Sequence, residues 1–144
     1  MPEHPSRDLG SAALLGLGGG LRSFAPPVAL ALHGRGPLAG PARFIAIGAG
    51  AGELIADKQP DMPSRLSPRG LSLRAGFSGS GGYDLAGWPG AGVATAAALA
   101  AAVAGARLRT RVQGQRGGLA AAFAEDALSY ALVLCATGRE ARRR

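Results

Sequence analysis

Apolar residues along this chain fall into blocks, and charged residues collect between the blocks. Leu9–Leu32 is the first block. It is long enough to cross roughly 30 Å of hydrocarbon as a helix. Gly18-Gly19-Gly20, Arg22 and Pro26-Pro27 interrupt it. Proline removes a backbone donor and clashes with the preceding turn, so a kink or break is expected there, with Arg22 turned towards protein. His33–Arg43 reads as a loop. Pro41–Asp57 is a second, shorter block, with Pro41 suited to a first helical turn. Lys58–Arg74 reads as a basic loop. In Ala75–Ala106, the stretch AGFSGSGGYDLAG is a poor helix and reads as a half-helix or re-entrant piece. A clean run, Pro89–Ala106, follows Trp88, and Tyr83 and Trp88 suit a membrane interface. Leu119–Thr137 is the last block, and arginines close the chain.

The expected fold is therefore all-α: a small polytopic membrane bundle of about four spans, with some helices broken or short. Residues 1–8 form an N-terminal tail, 9–137 one helical domain, and 138–144 a basic tail. Composition changes this picture little. Leu, Ile, Val and Phe make up about a fifth of the chain, near the level at which a water-soluble core becomes doubtful. Alanine and glycine dominate, and small residues let helices approach closely in lipid. Mean hydropathy of +0.15 is low for a membrane protein and keeps a soluble, alanine-rich helical domain as the competing class. The single cysteine, Cys135, excludes an intramolecular disulfide and reads as a small packing residue. No cleavable leader is expected, because MPEHPSRD carries mixed charge and Pro26-Pro27 spoils a cleavage site.

Net charge is +7. With four spans, nine basic residues fall on the side of the termini and six on the other, which favours cytoplasmic termini in a multi-pass inner-membrane protein. Loop arginines suit anionic lipid headgroups. Nucleic acid is not an expected partner, since no aromatic interleaving or binding motif accompanies the charge.

Candidate chemistry gathers in GAGAGELIADKQPDMPSRLSPRGLSLR, Gly48–Arg74. Glu53 and Asp57, four residues apart, share a helical face. Lys58 follows, and the next stretch carries Arg65, Arg69 and Arg74. Glu125 and Asp126 stand in the first half of the last block. Acids and bases inside apolar helices are costly unless paired, and they mark pathways or structural ties. The sharper reading joins Arg22, Glu53, Asp57, Lys58, Glu125 and Asp126 in one polar cluster. The plainer reading is that Arg22 pairs with Glu53 or Glu125 to hold the bundle together. Arg65, Arg69 and Arg74 could also converge with Lys58 on a phosphate or carboxylate. No catalytic residue, metal site or cofactor is expected. Pro60 takes Asp61 out of the Glu53–Asp57 row, which weakens a magnesium-dependent lipid-phosphate enzyme. Gly18-Gly19-Gly20 lacks the strand and Lys-Ser/Thr of a phosphate loop.

GLRSFAPPVAL, GELIADKQPDMPSRLSP and the AEDAL of the last block resemble a bacterial integral-membrane family known as domain of unknown function 4126. The likeness covers Gly16 to about Ala131 and is most specific at Gly52–Lys58 with Pro63-Ser64-Arg65. It implies a small membrane protein with no established activity. After Arg74 the chain departs from the family pattern, being polar at SGSGGYD where a small-residue helix is usual. The expected function is a small transporter or channel-like protein using the charged cluster on an ion or small anionic ligand. Membrane lipids and a homo-oligomer are the expected partners. A structural or lipid-interacting membrane protein without transport is the alternative, and an enzyme on lipid phosphate comes third.

Overall fold

A proline pair, an arginine and three successive glycines decide the path of the first block. The computed structural model describes residues 8–34, 40–56, 66–112 and 118–141. Among these, the chain is helical without strands: α1 (Leu9–Leu21), α2 (Ala25–Leu32), α3 (Ala42–Ala56), α4 (Pro68–Val112) and α5 (Gly118–Ala141). Asp8 caps α1, accepting from the Ser11 backbone N–H at 3.0 Å and the Ser11 hydroxyl at 2.8 Å. Regular helix stops at Arg22, which is extended at φ −137°, ψ 121°. It resumes at Ala25, with the prolines inside the first turn of α2, where their missing N–H groups cost nothing.

The break is sharper than a kink. Gly19 of α1 packs on Pro26 of α2, and Leu15 and Leu30 both reach Gly81 of α4. The chain has therefore doubled back, and α1–α2 is a short helical hairpin with its tip at Arg22–Phe24. The first block does not cross as one span, because two half-helices of 13 and 8 residues lie side by side. From the tip the path is antiparallel: α3 returns beside α2, with Gly50 against Val28.

α4 is also a hairpin. Ala86 (φ −144°, ψ 21°) and Gly87 (φ 64°, ψ −156°) leave the helical region, and Gly82 then packs backbone to backbone on Gly90. Thr95 Oγ1 donates to the Ala75 carbonyl at 3.4 Å across the two limbs, residues 68–85 and 88–112. Only glycine adopts the Gly87 conformation at little cost. Two sequence expectations are corrected here. Helix begins at Pro68, inside the stretch read as a basic loop, with Ser67 as its cap: the Gly70 N–H donates to Ser67 Oγ at 3.2 Å. SGSGGYD is regular helix, because Ser78 and Gly82 are buried against neighbours and packing overrides propensity. α5 continues to Ala141, into the stretch assigned to the tail.

α1 is the centre of the bundle. Its Gly16 and Gly20 face Ala94 and Ala98 of the second α4 limb, so closely that a Cβ on either would strike a backbone carbonyl. Gly18 packs on Ser129 and Val133 of α5. Small residues here are the means of close approach. The core is Ala12, Leu15, Ala25, Ala29, Leu85, Ala94, Val133 and Ala136. Because α4 turns back, its two ends share one end of the bundle, with Arg69, Arg107 and Arg111. Arg43 and Arg139 lie at the other, with the chain's first and last described residues. The four-span reading put the two ends of α4 on opposite sides, so the nine-to-six count drawn from it does not follow here. α4 and α5 each contain an 18-residue stretch apolar enough to cross a membrane, within Pro68–Arg111 and Ala120–Arg139.

Candidate functional site

Ending α1 and starting α2 inside protein leaves orphan carbonyls on one half-helix and orphan N–H groups on the other. The helix dipoles add partial negative charge at the first and partial positive charge at the second. The tip of the hairpin therefore calls for charges of both signs, and the bundle supplies them.

Glu53, near the end of α3, caps α2. Its Oε1 accepts from the Ser23 N–H at 2.8 Å and its Oε2 from the Phe24 N–H at 3.0 Å. The Ala25 N–H donates to the Arg22 carbonyl at 3.3 Å, and residues 26 and 27 are prolines, so the first-turn donors are all accounted for. On the α1 side, the Gly18 carbonyl accepts from the Arg22 N–H at 2.9 Å and from Ser129 Oγ at 2.8 Å. The Gly20 carbonyl accepts from Arg74 Nε at 3.0 Å, and Arg74 Nη1 donates to Gly70 within its own helix at 3.1 Å. Phe24 lies against Phe77, ring centroids 4.9 Å apart, and closes the tip on the α4 side.

The Arg22 guanidinium, 1% exposed, meets Asp126 of α5. Nε donates to Asp126 Oδ1 at 2.6 Å, and Nη2 donates to the same oxygen. At the preceding residue of α5, Arg109 Nε and Nη2 both reach Glu125 Oε2 at 3.0 Å. Tyr130 sits among Glu53, Arg22 and Asp126, its hydroxyl in the space that Gly50 leaves open. The Ser78 hydroxyl, buried against Gly19, has no hydrogen-bond partner among the described residues.

Of the expected cluster, Arg22, Glu53, Glu125 and Asp126 come together near the tip, with a different pairing. Arg22 takes Asp126, where Glu53 or Glu125 was expected, because Glu53 is held by the α2 amides and Glu125 by Arg109. Arg74, read as a loop cation, is helical and buried. Arg69 is exposed on the first turn of α4 and stays apart. Asp57, Lys58 and Arg65 lie outside the described residues. Arg109 and Ser129 were missed, since nothing local marks an arginine at a helix end as the partner of Glu125, or a serine in an alanine-rich run as a partner of α1. Cys135 is exposed, on the outward face of α5, where a packing residue was expected.

Among the described residues, Arg22, Arg74, Glu53 and Asp126 bring two charges of each sign to the tip, and Arg109 and Glu125 one of each beside them. Among the described residues no three His, Cys, Asp or Glu side chains gather as metal ligands. No family model, curated protein or solved structure matches the chain.

Proposed function

We propose that this chain is a small multi-pass membrane protein of the family it resembles, and that it works as a lipid-interacting scaffold. In this reading α5 and both limbs of α4 span the bilayer. The α1–α2 hairpin enters from the end that carries the termini and stops part-way, a re-entrant element. Such irregular backbone is tolerated at membrane depth only where protein surrounds it. Membrane residence is supported by the outward faces of α4 and α5. Only 28% and 22% of their apolar windows are buried inside the protein, unlike the core helix of a soluble domain.

The observation that carries the scaffold reading is how the described members of the cluster are tied to the hairpin tip. Glu53 accepts from the Ser23 and Phe24 amides with its two oxygens, and Arg22, 1% exposed, donates from Nε and Nη2 to Asp126. The cluster then serves to hold a hairpin tip in place. Transport is the second reading, favoured by one feature: in broken-helix transporters, half-helix N-termini hold anionic groups, and Glu53 occupies that position here.

Proteoliposome flux separates the two. The scaffold reading expects proton and monovalent-ion flux equal to protein-free vesicles, for the native chain and for Glu53→Gln alike, with Glu53→Gln lowering thermal stability. Flux above the blank that Glu53→Gln abolishes at unchanged stability would establish transport instead.

A further inference from the structure

The outward stripe of the second α4 limb changes character once along its length. From Trp88, 79% exposed, it runs through Gly92, Ala96, Ala100 and Ala104, all exposed, and no charged residue interrupts residues 88–106. Arg107 ends the uncharged run and Arg111 follows one turn on, both exposed and on one helical face. Arg107 stands 19 residues beyond Trp88, about 28 Å along a helix axis. That is close to the roughly 30 Å of a bilayer's hydrocarbon. With Trp88 at one interface, the two arginines reach the headgroup layer of the other. Arg69, exposed on the first turn of α4, adds positive charge at the same end.

We infer that Arg107 and Arg111 hold the phosphate of an anionic phospholipid, with its acyl chains along the uncharged stripe. The inference deepens the lipid-interacting reading above and rests on it. The sign of the site follows from the ion pairs. Arg107 and Arg111 have no carboxylate partner among the described residues, whereas Arg109 between them reaches Glu125. The other described carboxylates of this end are also engaged: Glu53 accepts from the Ser23 and Phe24 amides, and Asp126 from Arg22. The exposed charges described here, on Arg69, Arg107 and Arg111, are therefore all positive. A guanidinium offers forked donors that match the oxygens of a phosphate. A zwitterionic headgroup would bring the same phosphate together with an ammonium, which meets a like charge. The neighbours select a lipid over a water-soluble polyanion. Leu108, between the arginines in sequence, is 63% exposed, and an acyl chain covers such a side chain where a nucleic-acid backbone does not.

The full-length protein in an uncharged detergent is mixed with equal amounts of phosphatidylglycerol and phosphatidylcholine of identical acyl chains. Native mass spectrometry then counts the lipid retained. Phosphatidylglycerol is expected about fivefold or more ahead, the contribution of one arginine at an anionic headgroup. Arg107→Gln with Arg111→Gln should bring the ratio close to parity. Both positions are exposed, so the unfolding temperature should not change. Arg43→Gln with Arg139→Gln, at the other end, should leave the preference intact. Equal retention of the two lipids by the native protein overturns the inference, as does a preference that survives the first pair of substitutions or is lost equally with the second. Displacement of bound phosphatidylglycerol by a short single-stranded RNA also overturns it and gives the arginines to nucleic acid. Protein that retains both lipids equally ends this inference alone. Protein that retains neither, and is recovered without detergent, ends the membrane reading.

Discussion

Arg22 is the residue whose surroundings are least forgiving. A guanidinium 1% exposed needs a compensating charge, and Asp126 faces it. Removing one member of a buried pair leaves the other charge without compensation, which costs about 3–5 kcal/mol. Replacing both with apolar residues removes the desolvation penalty along with the attraction. Asp126→Asn should therefore lower stability by about that amount, while Arg22→Met with Asp126→Leu should recover most of it. Thermal unfolding in detergent, followed by circular dichroism, makes the comparison. A double variant as unstable as the single one would mean that Arg22 is needed for more than its pairing with Asp126. Arg22 was legible as a residue that must face protein, since a cation in an apolar run has few alternatives. Its partner was not, because four carboxylates were available and only the helix arrangement ranks them.

Two reversals set the elements. At Arg22–Phe24 the turn is held by long-range polar contacts, and at Ala86-Gly87 by backbone geometry. Gly87 at φ 64°, ψ −156° occupies a region essentially closed to residues with a Cβ. Gly87→Ala should cost about 1–3 kcal/mol of stability, although open space surrounds the position and no side chain would be struck. Gly92 is the control, since it is equally open and lies in regular helix: Gly92→Ala should leave the unfolding temperature unchanged or higher. Equal effects at the two positions would remove the strain account. The start of α4 could have been read locally, since Ser67-Pro68 is a helix-start signal of cap and first-turn proline. The arginines around it drew the reading towards a loop. The helicity of SGSGGYD could not be read so, because it rests on the close contact of Gly82 with Gly90 eight residues on.

For the whole molecule, the outer surface is the telling feature. Phe44, Ile45, Ile55, Leu108, Phe123 and Leu128 are all more than half exposed, on helices whose inner faces are glycine, alanine and serine. Such a surface is solvated by hydrocarbon at little cost, and the inner faces hold together by close packing and polar contacts. The expected outcome is retention in the membrane fraction after an alkaline carbonate wash. Recovery in the supernatant without detergent would remove the membrane reading and return the soluble helical class. α3, at 15 residues about 22 Å long, falls short of a span by itself. It stays in place through α2 and the Glu53 cap.

Several properties were decided by the chain's own order of residues: an all-helical class, a break at the arginine and proline pair, small residues where helices touch, and charges that must be buried. Each is a local or compositional consequence, governed by backbone sterics, block length and the cost of charge in an apolar setting. Tertiary structure decided the rest: that the first block folds back on itself, that α4 turns at Gly87, that Asp126 and not Glu53 meets Arg22, and that Arg74 serves the end of α1. These depend on which helices lie side by side, since half-helix ends need partners of opposite sign and the nearest suitable side chain lies 29 to 104 residues away for Glu53, Arg74 and Asp126. Sequence spacing carries no information about neighbours at that separation, whereas packing of α4 and α5 on α1, and of α3 on α2, brings all three to the same turn.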